Sequence, residues 1–224
     1  MIMDDAAKQA KIEAANKAFE RLEALMAPGP DGGPSEYQQD KAKYDEMTWQ
    51  DRAKEIGLVI PNQPKSSPGG KFGVKILPHG EMRLSGVAAR EHGNGKVIDG
   101  VLRDDNENTL KHGRRAIHNA AVNVLAHMKA NCNDRLEDIE TVALDVLILS
   151  DENFTEHTKI ANAASHVFMY VLGIDSSDIV RTAEGKSSLP WGTSAEIRAT
   201  AFSKQLIDVE LFRELLRAEQ GANA

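Results

Sequence analysis

Two charged side chains in the last third of the chain are spaced to do chemistry. Arg181 lies in an extended run over residues 179–183. Glu196 lies in a second run over residues 195–202, where Ala195, Ile197, Ala199 and Ala201 alternate with Glu196, Arg198 and Thr200. Period-two alternation flanking Gly185, Pro190 and Gly192 predicts two adjoining strands joined by a turn segment. A guanidinium is a planar fork that matches a carboxylate, and a nearby Glu can hold a water or move a proton. The same two residues could equally form a cross-strand ion pair, which is worth little when exposed. Spacing alone leaves both readings open and leans toward the ion pair.

Other chemistries find no support in the residues. The chain carries no G-x-G-x-x-G, no Walker motif and no G-x-S-x-G. His112 and His118 are six apart, and His118 and His127 nine apart, neither of which is a ligand spacing on a helix. No metal is expected, and these histidines read as helix-surface groups. Cys132 is the single cysteine, so it has no partner for an internal disulfide and reads as a structural thiol in a reducing cytoplasm.

The elements that must position Arg181 and Glu196 come from an ordinary soluble composition. Of 224 residues, 41% are hydrophobic and 27% charged, and only 5% are aromatic, so the core rests on Ala, Val, Ile and Leu. A net charge of −7 argues against nucleic acid as the main partner, because phosphate binding needs a basic face. No apolar run approaches the roughly 20 residues that cross a bilayer, and the N-terminus lacks a signal-peptide pattern. The expected location is the cytoplasm.

Residues 4–26 read as a helix with Ile12, Ala15, Phe19, Leu22 and Met26 on one face. A Pro/Gly loop over 28–34 leads to a second, polar helical stretch over 35–56, ended by Gly57. Residues 1–56 therefore form a helical extension that decorates the main body or a neighbouring subunit. After a Pro-rich connection (58–70) come strands over 71–77, 82–88 and around Val97. A helix over 108–129 carries Leu110, Ile117, Ala121, Val124 and Met128 on its apolar face. The strand within 136–150 points Val142, Leu144, Val146 and Ile148 one way. A helix over 153–172 buries Ile160, Ala164, Val167, Phe168 and Val171, and Gly173 stops it. The two site strands follow, and a final helix starts at Ser203. The fold class is an α+β sandwich, a mixed sheet with two helices on one face. The opposite face, with Ala143, Asp145 and Leu147, is too apolar for open water and too polar for an interior, which suggests a subunit interface.

At these residues the chain resembles the Rid family, the YjgF/RidA-like reactive-intermediate deaminases. Arg181 is followed by seven residues and then Leu189-Pro190, and AEIRATAF stands where the family has an EIEAIA-like strand. Upstream and in order, Leu84-Ser85-Gly86, residues 115–119 (RAIHN), residues 136–149 and Phe154 match further family segments. The similarity covers residues 57–202, leaving 1–56 as an N-terminal extension and 203–224 as a C-terminal helix and tail.

The resemblance implies a chorismate-mutase-like fold, a homotrimer with clefts between subunits, and hydrolysis of a reactive enamine or imine to a 2-oxo acid and ammonia without metal or cofactor. Arg181 would bind the carboxylate and Glu196 would position the water. Ser85, Asn119 and backbone near Ala183 would line or support the cleft. Phe72 stands where the deaminases have a cleft Tyr, Ala183 where they often have Cys, and Arg198 where they have a second Glu. The rival expectations are a non-catalytic 2-oxo-acid-binding protein, which Phe72 favours, and a ribonuclease, which the acidic balance disfavours.

Overall fold

The structure is a computed structural model that describes residues 5–62, 73–92, 94–207 and 209–222. The chain opens with α1 (Asp5–Met26), α2 (Glu36–Gln39), α3 (Lys41–Asp45) and α4 (Trp49–Ile56). It continues through β1 (Val74–Ile76), β2 (His79–Ala88), α5 (Glu107–Asn131), β3 (Ile139–Leu149), α6 (His157–Leu172), β4 (Ile179–Lys186), β5 (Ala195–Ile207) and α7 (Val209–Ala222). Phe72 and most of the Pro-rich connection lie outside the described residues.

Among the described residues, five strands form one mixed sheet in the order β1-β2-β5-β3-β4. Only β3 and β4 run parallel, because α6 joins them as a crossover. The sheet corrects the expected β4–β5 hairpin. β3 lies between the two strands and pairs antiparallel with β5 from Ile139↔Ser203 to Ile148↔Ala195. A hairpin would have left β3, whose Val142, Leu144, Val146 and Ile148 are all buried, nearer the edge. Inserting β3 puts the most apolar strand between two neighbours.

Those four side chains, with Ile197, Ala199, Ala201, Met82 and Leu84, face α5 and α6. The expected stripes on both helices are buried. α5 is buried almost all round, and His118 with it, because α1 covers its outer side: Phe19 meets the His118 ring edge-on at 5.2 Å. The expectation of surface histidines is thus corrected for His118, which is 2% exposed. The opposite sheet face carries exposed Ala143, Asp145, Val180 and Thr182, while Leu147 and Glu196 toward one end of it are buried.

The expected single helix over 35–56 is three short ones. Ser35 and Thr48 each cap a new helix with extended backbone (ψ 163° and 162°), their hydroxyls accepting from Gln38 N and Asp51 N. The extension also shares the main core. Leu22, Leu25, Tyr37, Tyr44, Trp49 and Ile56 join the same buried cluster as α5 and α6. Arg114 of α5 ties α1 through Glu23 at 2.7 Å, and the Trp49 indole donates to Asp134 O at 3.0 Å.

Ser203 continues β5 instead of starting a helix. It is 1% exposed because it extends the inward row of Ala199 and Ala201. A bulge opposite it seats Gly80 at φ +87°, where a Cβ would lie 2.4 Å from Ser203 O. Only glycine fits there. Residues around Val97 form isolated bridges, Val97 to Arg90 and Asp99 to Thr193, and no strand. No described helix is long and apolar enough to cross a membrane.

Candidate functional site

Arg181 sits midway along β4, an edge strand, and pairs with Leu144, so its side chain is on the helix-covered face. Its fork reaches over α6. Nη1 donates to Ser165 Oγ at 2.9 Å, and Nη2 donates to Asn162 Oδ1 at 3.0 Å and to Thr158 O at 3.5 Å. All three acceptors are neutral, and Arg181 makes no ion pair among the described residues. Burial lowers its proton affinity from the ordinary arginine value, yet a guanidinium stays charged. The result is a half-buried cation, held by three dipoles, with N–H groups to spare.

His166, next to Ser165 on α6, is pushed down to about 4 by burial and then by the Arg181 charge. It is therefore neutral near pH 7, and its buried Nδ1 has no hydrogen-bond partner. It adds no second positive charge beside Arg181.

Glu196 stands apart from this cluster. It pairs with Leu147 and Ala88, so it belongs to the open face of the sheet. Its carboxylate lies flat over Gly86, where a β-bulge interrupts β2 between Leu84 and Val87. The nearest cation is Arg198, with Nε at 3.8 Å. The expected proximity of Arg181 and Glu196 within one chain is therefore corrected. They point to opposite faces, with β3 between their strands.

A Cβ at Gly86 would come within 2.0 Å of Glu196 Oε1. Gly86→Ala is expected to push the carboxylate out of its notch, with an effect on any Glu196-dependent activity close to that of Glu196→Ala. Steady-state kinetics of the two variants side by side check this.

The remaining expected residues divide between the two faces. Ser85 is exposed at the bulge beside Gly86, on the Glu196 side of the molecule. Ala183 pairs with Val146 and shares the Arg181 face. Asn119 is 5% exposed within α5, and its amide donates to Arg115 O at 2.9 Å. It supports α5 and lines neither group. Cys132 is 3% exposed, and burial pushes its thiol up to about 11, as befits an inert structural sulfur. Among the described residues no His/Cys/Asp/Glu group could hold a metal ion.

The sequence reading missed Thr158, Asn162 and Ser165, which hold Arg181. Their spacing of four and three along α6 was the available signal, a polar stripe beside the apolar one. It also missed a contact at the far end of β4. There Ser150 Oγ and His157 Nε2 lie 2.9 Å apart, and a Cβ on Gly185 would come within 2.8 Å and 2.6 Å of them.

A mixed five-stranded sheet with two long helices on one face is the architecture of the Rid/YjgF-like proteins, and the chain has that fold. Among solved structures, the Agrobacterium tumefaciens protein Atu1372, of unknown function, superposes with TM-score 0.57 at 29% identity, covering 75% of this chain and 99% of its own. A Shewanella oneidensis protein provisionally assigned as an endoribonuclease superposes with TM-score 0.59 at 19% identity, covering 70% and 99%. Protein TCP17 of Trypanosoma cruzi is 32% identical over 91 residues, or 41% of this chain, and the match spans 57% of that relative. No family model matches the chain.

Proposed function

We propose that the chain is a Rid-like hydrolase of the cytoplasm that converts a reactive imine or enamine of a small carboxylate to a 2-oxo acid and ammonia. The observation that carries this reading is Arg181, a half-buried guanidinium held by Asn162 Oδ1 and Ser165 Oγ without a carboxylate partner among the described residues. A substrate carboxylate supplies the missing charge and takes the free N–H groups. An imine carbon is already electrophilic, so holding it beside a water needs no metal or cofactor.

Arg181 and Glu196 cannot serve one substrate from within a single chain. The reading therefore places the site between copies in a homotrimer, with Arg181 of one copy facing Glu196 of the next, which positions the attacking water. The exposed Ala143, Asp145 and Thr182 on that sheet face support this, as does Val180, which is 67% exposed on the edge strand.

Ammonia release from 2-iminopropanoate, generated in situ from alanine by an amino-acid oxidase, tests the activity. Arg181→Ala is expected to weaken carboxylate binding roughly 100-fold, the equivalent of losing a charge-assisted fork. Equal release with wild type and Arg181→Ala sinks the proposal. Sedimentation analysis tests the trimer.

A second reading, a non-catalytic 2-oxo-acid-binding protein, draws on Phe72, which has no hydroxyl to offer where the deaminases have Tyr. Calorimetric binding of pyruvate without any turnover would select it. The endoribonuclease assignment of the Shewanella protein suggests a third reading, which the net charge of −7 disfavours. A salt-dependent RNA interaction would revive it.

A further inference from the structure

We infer that His157, oriented by Ser150, is the proton-transfer group for the anion held at Arg181. This rests on the carboxylate-binding reading of Arg181 given above. Arg181, Ala183 and Gly185 form one row on the helix-covered face of β4, beneath the first turns of α6. α6 delivers both ends of the site. Thr158 O, Asn162 and Ser165 hold the guanidinium, and His157, the residue before Thr158, lies over Gly185. Arg181 and Gly185 are four positions apart on the strand, on the order of 13 Å between Cα atoms, and Arg181 Nη2 reaches the carbonyl oxygen of Thr158, the residue after His157, at 3.5 Å. Between Arg181 and Gly185 that row holds only the small Ala183.

The His157 ring is held in place on two sides. Ser150 Oγ meets Nε2 at 2.9 Å, and Phe154 packs edge-on against the ring at 5.0 Å. Ser150 is itself anchored where β3 ends, its N–H donating to Lys186 O at 3.1 Å, and it is only 7% exposed. Nδ1 has no hydrogen-bond partner among the described residues, so one nitrogen is positioned by Ser150 and the other is free to carry a proton. Gly185 is required because any Cβ would strike both polar atoms. The charged groups around this turn are already engaged: Asp105 accepts from Thr155 N and Oγ1, Asp151 faces Arg103 at 3.6 Å, and Lys186 pairs with Glu184.

In the reaction, water adds to the carbon of the protonated imine. As the C–O bond forms, the C=N π pair moves to nitrogen and a water proton moves to the imidazole. The imidazolium then protonates the amine nitrogen of the carbinolamine. The C–N bond breaks, ammonia leaves, and the hydroxyl proton passes to solvent as C=O forms. Proton transfer of this kind contributes about 10²–10⁴-fold.

The test uses the full chain with 2-iminopropanoate for turnover and pyruvate for binding. His157→Gln keeps a hydrogen-bonding partner for Ser150 but cannot shuttle a proton. It is expected to lower kcat about 100-fold, to remove the limb of the pH profile that reports imidazole titration, and to leave pyruvate affinity within threefold of wild type. Ser150→Ala is expected to lower kcat less and to shift that limb. Unchanged kcat and pH profile in His157→Gln, with a wild-type melting curve, overturns the inference while leaving the Arg181 site intact. Loss of pyruvate binding in wild type, or no effect of Arg181→Ala on it, removes the reading beneath it instead. If His157→Gln does not fold, His157→Asn under the same measurements decides between the same outcomes.

Discussion

Arg52→Ala is expected to lower the unfolding free energy by about 3–5 kcal/mol, read as a shift in urea midpoint at constant slope. Arg52 lies in α4 and is 3% exposed. Its Nε and Nη2 donate to Val171 O at 3.2 and 3.0 Å, and Nη1 donates to Tyr44 O at 2.8 Å and Met47 O at 2.6 Å. Val171 O belongs to the last turn of α6, where carbonyls have no partner inside the helix and a cation is favoured. Removing the guanidinium leaves Val171 O and Met47 O without their donor, each at about 1–3 kcal/mol, while Tyr44 O keeps the Met47 N–H at 3.2 Å. The gap beside Gly173 adds to this, because a Cβ there would already lie 2.9 Å from Nη2. Arg52→Met refills the volume without donors and is expected to recover only the packing part of the loss. The extension thus staples the far end of the helix that carries the Arg181 site.

The second large effect is acid lability. Burial holds His92 and His166 down to about 4 and His118 to about 3, from an ordinary value of 6.5. The folded state keeps all three neutral, while the unfolded chain protonates them near 6.5. Their contribution is therefore complete above pH 6.5 and is lost as pH falls toward 4, and toward 3 for His118. Each depressed group adds a slope of about 1.4 kcal/mol per pH unit, so three together approach about 4 kcal/mol per unit within that window. Against a typical total of about 5–15 kcal/mol, unfolding before pH 4 is the expected result. Urea titrations at pH 7, 6 and 5 measure the slope. His118→Phe, which keeps an aromatic ring beside Phe19, is expected to reduce it by one proton.

Much of the architecture was legible in the sequence because periodicity reports burial directly. The stripes of α5 and α6, and the alternation of β3, mark faces that must leave water, and they do. The mixed outer face was legible for the same reason: Ala143, Asp145 and Leu147 match neither a core nor a solvated surface. The two breaks within residues 35–56 were harder to see, since Ser35 and Thr48 announce helix starts only when their caps are recognised inside a polar run.

From the sequence alone came the α+β class and the expectation that Arg181 and Glu196 lie on strands of one sheet. The order of the strands belonged to the tertiary structure alone. Alternation says which residues share a face of one strand, but not which strand lies beside it, since pairing depends on contacts far apart in the chain. Inserting β3 between β4 and β5 sets the register that turns Arg181 toward α6 and Glu196 toward the open face. It also brings Asn162, Ser165 and His157 to Arg181's side, from a helix that precedes Arg181 in the chain and that only folding brings against β4.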